Sequence, residues 1–432
     1  MICDNIKVSE EGQLLFAGQN TIELAKKYGT PLYLLDEDKL REKCNIYKKA
    51  FDDHFNGLGG PLYASKANCF KRIYEIMREE NMGIDVVSSG EIYTALQAGF
   101  DLSNAFFHSN NKTDEDIIYA IENGIGYFVA DNIEEIKSIA KEAEKRKVKQ
   151  KVLLRLTPGI DTHTYEAVST GKVDSKFGSA IETGQAEEIT ANTLKEKYID
   201  LQGFHCHLGS QIFAEEVFER GAEIMIKFIF EMHNKYGLVT EILDLGGGYG
   251  VKYTELDPDI DIYAQIGEVA KVVKTNINKY GIEMPQIHME PGRSIIADAG
   301  MTLYKAGTVK KIQGYKNYLS VDGGMPDNPR FALYGSEYTC YVANKMNEES
   351  DFGCSIVGRC CESGDIIQEN VIVPNSVTRD DIVAVCTTGA YNYSMASNYN
   401  RLRKLPTIML SKGKSYIGVR RQSYEEMCCC DV

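Results

Sequence analysis

Between about residue 60 and residue 292 the sequence repeats one pattern eight times: a short apolar run, then a longer stretch of helical period. The runs are PLYAS (61–65), IDVV (84–87), AFFHS (105–109), YFVA (127–130), VLLRL (152–156), GFHCH (203–207), ILDL (242–245) and QIHME (286–290). They read as buried strands, and the stretches between them as amphipathic helices. NIEEIKSIAKEAEKR (132–146) is the clearest helix, with Ile133, Ile136, Ile139, Ala140 and Ala143 on one face. Asn132 with Glu135 resembles a capping box, and the basic run Lys145 to Lys147 suits the negative end of the helix dipole. Longer helices are expected over 214–237 and 261–281, each closed by glycine. Eight buried strands alternating with helices predict a (β/α)8 barrel rather than an open sheet.

After about residue 295 the helical period fades. MTLYKAGTVKKI, NYLSVDGG, DIVAVCTTGAY and PTIMLSKGKSYIGVRR read as strands with Gly or Asn turns. The expected architecture is an α/β barrel over residues 30–295, followed by a mostly β domain of barrel or sandwich type. That second domain is formed by 296–432 together with 1–29. The strand-poor interval 157–202 should be a loop plus a helix, and a loop of that length is usually functional.

A chain of 432 residues suits two domains, and its 43% hydrophobic and 25% charged content is that of an ordinary soluble enzyme. The net charge of −14 argues against nucleic acid or an anionic membrane as a partner. The opening MICDNIKVSEEGQ is polar and no later run approaches a membrane-spanning length, so a cytoplasmic location is expected. Twelve cysteines without a CxxC pair predict neither a disulfide framework nor a structural zinc site. The ending CCDV has Asp431 where a prenylation box needs an aliphatic residue, so the tail reads as a frayed end with free thiols.

Chemistry in such barrels gathers at the carboxyl ends of the strands. There the sequence places Lys66 (in YASKAN), Asp85 and Ser88, His108, Arg155, His205 and His207, the GGGYG run from Gly246 to Gly250, and EPGR from Glu290 to Arg293. Singly, each has a bland reading. A lysine is usually a solvated charge. GGGYG has Val251 where GxGxxG needs glycine, so it reads equally as a tight turn or as an anion nest. His205 and His207 share a strand face but lack an evident third ligand, so no metal is expected. His108 and Arg155 read as polar groups paired with each other. Together the set supplies a reactive amine, a phosphate nest, a flat group to stack on a ring and a carboxylate, which is what pyridoxal 5′-phosphate (PLP) requires.

YASKAN, GIDVVSSGE, FHSNNK, SKFG, HCHLGSQ, LDLGGGYG, EPGR, NPRFALYG, CESGD and GAYNYSMASNYN resemble, in order, the motifs of the barrel-type PLP-dependent decarboxylases. HCHLGSQ with SMASNYN is similar to the diaminopimelate decarboxylase branch. The resemblance runs from about residue 31 to 425. It implies decarboxylation of meso-2,6-diaminopimelate to L-lysine, the last step of lysine biosynthesis. It also implies Lys66 as the Schiff-base lysine, His207 stacked on the ring, and Ser210, Gly246, Gly247, Gly248 and Tyr391 at the phosphate. Glu290 would bond the ring nitrogen. Arg293, Arg330, Tyr334 and Glu362 would grip the remote end of the substrate, and Cys361 would donate a proton from the partner subunit of a homodimer with shared active sites. Phe331 departs from the usual proline, and NSVTRDD replaces a more glycine-rich turn. The alternatives are a sister decarboxylase acting on carboxynorspermidine, arginine or ornithine, and a non-catalytic regulatory homologue. The presence of both Lys66 and Cys361 speaks against the latter.

Overall fold

All eight apolar runs form strands, and all eight are parallel. In chain order they are Gly59–Ala64, Gly83–Val86, Ala105–Phe107, Tyr127–Ala130, Gln150–Thr157, Ile199–Cys206, Ile242–Asp244 and Gln286–Met289. Each pairs with the next, and the eighth returns to the first with Met289 beside Pro61, so the sheet is a closed barrel. Leu62, Phe106, Val129, Leu153 and Ile242, from five different strands, pack into one cluster. The computed structural model describes residues 1–160 and 173–432.

The helix predicted at 132–146 spans Ile133–Arg146, and Asn132 accepts the Glu135 N–H as its N-cap. The reciprocal half of the expected capping box is absent, because the Glu135 carboxylate accepts from Lys112 Nζ at 2.6 Å and from the Asp131 N–H instead. A reciprocal box forms at Thr113 and Asp116, ahead of the helix Asp114–Glu122. The two long helices, Glu215–Tyr236 and Ile262–Tyr280, end on Gly237 and Gly281 in the left-handed conformation, which glycine adopts without a Cβ penalty. Of the interval 157–202, part lies outside the described residues. The rest contains a two-residue strand, Ser179–Ala180, and the helix Gln185–Thr193.

Contacts divide the chain into two units. One comprises Lys43–Gly250 with Ile260–Ser294, and the other Met1–Glu42, Val251–Asp259 and Ile295–Val432. Residues 30–42 therefore go with the β unit. The strand Leu32–Asp36 is buried throughout and lies between two partners, antiparallel to Gly300–Lys310 and parallel to Thr407–Ser411. Residues 251–259 join the same unit, where the Tyr253 carbonyl accepts from both the backbone N–H and the hydroxyl of Thr339. Leu14, Phe16, Leu34, Met301, Leu303, Ala384, Ile408 and Leu410 form its core. The tail is not frayed: Tyr424–Met427 is a short helix with its own capping box, and Arg401 binds both the Met427 carbonyl and Asp431. All twelve cysteines are free thiols. Among the described residues no helix is long and apolar enough to cross a membrane.

Candidate active site

The first barrel strand ends in a single 3-10 turn, Ser65–Ala67, pinned by the Tyr63 hydroxyl on the Asn68 carbonyl at 2.9 Å. Within Pro61–Asn68 only Lys66 is exposed. The small neighbours serve the backbone first. Ala64 receives the chain at Pro291, and a Cβ on Gly292 would sit 2.8 Å from that of Ala64. EPGR is thereby packed directly behind the lysine turn.

Glu290 follows the eighth strand and is buried. One of its oxygens lies 2.6 Å from His108 Nε2, after the third strand, and the other 3.2 Å from His205 Nε2, in the sixth. Asp244, from the seventh strand, completes a buried group whose ligating atoms all lie within 4.8 Å of one another. Burial alone would raise the Glu290 carboxyl, but the two imidazoles at its oxygens hold it well below the usual range. Burial, followed by the Glu290 charge, pushes Asp85 and Asp244 well above it. Burial also lowers His205 to about 4, so a neutral imidazole donates its N–H to an ionised carboxylate.

The glycine run turns immediately after Asp244. Gly246 and Gly248 have φ of +67° and +117°, and a Cβ on Gly247 would run into the Glu290 carbonyl oxygen, so this corner admits no side chain. The N–H groups of Gly246 and Gly247 are already donated, to Asp244 Oδ1 at 2.8 Å and to His207 Nδ1 at 3.2 Å. The second bond fixes the His207 ring beside the glycines. Arg293 Nη2 donates to Ser210 Oγ at 3.0 Å. A cavity of about 500 Å³ lies at the opposite, amino ends of the strands, lined by Gly59, Gly83, Gln286 and His288, and contains none of these groups.

Two strand-end residues have structural work instead. Ser88 caps the helix Ser89–Gln97. Arg155 does not pair with His108; it lies 4.0 Å from Asp131 and over the Phe177 ring, while Asp131 accepts the Gly178 N–H, so the pair anchors the SKFG turn.

In the β unit the Arg330 guanidinium is buried and lies over the rings of Tyr334 and Tyr391 at 5.4 and 4.9 Å. Tyr391 has φ of +68°, a left-handed conformation that a non-glycine residue seldom adopts. Cys361 and Glu362 are exposed. The Cys361 N–H is held by Asn400 Oδ1 at 2.7 Å, and the Glu362 carboxylate by the Gly364 N–H and the Ser363 hydroxyl, which lower its pKa. Sequence reasoning missed Asp244 and Asn400. For Asp244 a signal existed, an acid inside the apolar run ILDL; Asn400 closes the motif SMASNYN, but nothing in that motif says that it meets the Cys361 backbone.

Comparison with known proteins agrees with this geometry. The family described as pyridoxal-dependent decarboxylase, pyridoxal binding domain, matches residues 37–297. A diaminopimelate decarboxylase of Staphylococcus aureus (strain COL) is 43% identical over 423 residues, covering 98% of each chain. That of Bacillus subtilis (strain 168) is 41% identical over 420 residues, covering 97% of this chain and 95% of its own. The crystal structure of diaminopimelate decarboxylase from M. jannaschii in complex with L-lysine superposes with a TM-score of 0.91 at 31% identity, covering 100% of this chain and 98% of that one. A closed parallel barrel, an exposed lysine at its carboxyl end and an ionised carboxylate behind a side-chain-free glycine corner fit PLP. With these relatives spanning nearly its full length, the chain belongs to the diaminopimelate decarboxylase family of pyridoxal-dependent decarboxylases.

Proposed function

We propose that this chain decarboxylates meso-2,6-diaminopimelate to L-lysine and CO2, as a cytoplasmic homodimer whose active sites are shared between subunits. The observation that carries the reading is the convergence of exposed Lys66 and buried Glu290 at the same end of one barrel. PLP, when bound, supplies an electron sink for the pair left behind by departing CO2. Lys66, with its exposed amine, would hold the cofactor covalently and keep it within reach of the substrate amine. Glu290, kept anionic, holds a proton at the ring nitrogen and so strengthens the sink. His207, oriented by Gly247, packs on the ring face. Ser210, Gly246, Gly247, Gly248 and Tyr391 would hold the phosphate; the N–H groups of Gly246 and Gly247 are committed to Asp244 and His207, so these two would serve by leaving room for it. Cys361 of the second subunit returns a proton to the carbon.

The remote end of the substrate carries an ammonium and a carboxylate. Arg293 and Arg330, with Tyr334 and Tyr391, are suited to the carboxylate, and Glu362 to the ammonium. Ornithine lacks that carboxylate and would leave a buried guanidinium unpaired, which such sites reject strongly. Purified protein with PLP should therefore release CO2 from meso-diaminopimelate well ahead of ornithine, arginine or carboxynorspermidine, each supplied separately. Faster release from any of those three would overturn the reading. Glu362→Gln should lower the preference for meso-diaminopimelate over 2-aminopimelate, which lacks the remote ammonium, by about tenfold in kcat/KM. An unchanged ratio would remove Glu362 from the substrate site.

A further inference from the structure

We propose that His108 and His205 are positioning residues, which grip the two oxygens of Glu290 and fix its carboxylate as the acceptor for the cofactor's ring N–H. The inference rests on the PLP reading above and assigns work to two side chains that it leaves unused. Three strands that are remote in sequence converge on one carboxylate, with His108 at 2.6 Å and His205 at 3.2 Å on different oxygens. The two imidazoles meet edge to face at 4.8 Å, so each also limits the rotation of the other. All three groups are buried, and His205 is wholly so.

The need for such a grip follows from the neighbours. Asp244 is buried in the same group and buried Asp85 feels the Glu290 charge, and three carboxyls so coupled cannot all be charged. The charge settles where donors are densest. Glu290 has two imidazole nitrogens, whereas Asp244 Oδ1 receives one backbone N–H, from Gly246. Without one histidine Glu290 loses that advantage, and a protonated Glu290 cannot accept the ring N–H.

The test compares PLP with 1-deaza-PLP, in which CH replaces the ring nitrogen, by measuring the dissociation constant of each from the holoenzyme that it forms. Wild type should prefer PLP. His205→Leu should lose about tenfold or more of its PLP affinity and little of its affinity for the analogue, as expected when one charge-assisted hydrogen bond goes. His205→Gln, whose amide nitrogen can stand where Nε2 stood, should recover most of the loss. His108→Ala should repeat the pattern should the leucine variant fold poorly. Equal losses for both cofactors would mean a merely structural role and overturn the proposal, as would no loss for either. A wild type that binds both cofactors equally would overturn the Glu290 reading itself, and this proposal with it.

Discussion

Lys66→Ala protein, mixed with PLP and reduced with borohydride, should carry no covalent cofactor, while wild type treated alike gains the mass of reduced PLP. The expectation rests on a contrast between Lys66 and Lys112, which follow the first and third barrel strands: the amine of Lys112 is already engaged. Lys112 is buried, with its Nζ between the Glu135 carboxylate at 2.6 Å and the carbonyls of Val129 and Ser109 at 2.8 and 3.2 Å. Its ammonium is a tether for the loop after the third strand. Lys66 is exposed, on a turn locked by Tyr63 and backed by Gly292. Decarboxylation should fall by about 10³-fold or more, the scale of losing a group that acts covalently. Mass spectrometry decides the matter: wild-type trapping in the alanine variant would assign the cofactor to another amine.

Mixing inactive Lys66→Ala with inactive Cys361→Ala protein should restore about a quarter of wild-type activity. In a two-fold dimer the partner's cysteine serves each barrel reciprocally, so a mixed dimer has one site with both residues and one with neither. Free exchange makes half of the dimers mixed, and each of those has one working site of two. Cys361 suits a role on another copy: its thiol is exposed, on a turn whose backbone is fixed by Asn400. The result that sinks the idea is subunit exchange, seen by native mass spectrometry, without any return of CO2 release.

The barrel was legible because its strands are covered on both faces, so each reads as an unbroken apolar run in a regular alternation. The boundary of the β unit was not. Leu32–Asp36 is equally apolar and equally buried, and nothing in LYLLD says that its partners are Gly300–Lys310 and Thr407–Ser411 rather than the strand that follows it in the chain. The site divides in the same way. Lys66, His207, the glycines and Glu290 stand in local motifs whose residue types declare their chemistry. The grip on Glu290 depends on which strands are neighbours across a closed barrel and on where side chains point, so His108 was matched with Arg155 from composition alone. Arg155 in fact faces Asp131 and Phe177, and His108 faces Glu290.

The placement of Leu32–Asp36 also has a cost during synthesis. This strand leaves the ribosome some 370 residues before one of its partners, Thr407–Ser411. At about 5–20 residues per second it waits many seconds for its first partner, Gly300–Lys310, and longer for the second. All eight barrel strands emerge in that interval and have every partner they need. The nascent chain thus has a finished barrel and an apolar N-terminal ribbon still seeking its sheet, the kind of segment that chaperones shield and that sticks to other copies when they do not. A premature stop before Thr407 would leave one edge of that ribbon, the one opposite Gly300–Lys310, open for the life of the protein, so damage late in the chain is felt at a strand made early.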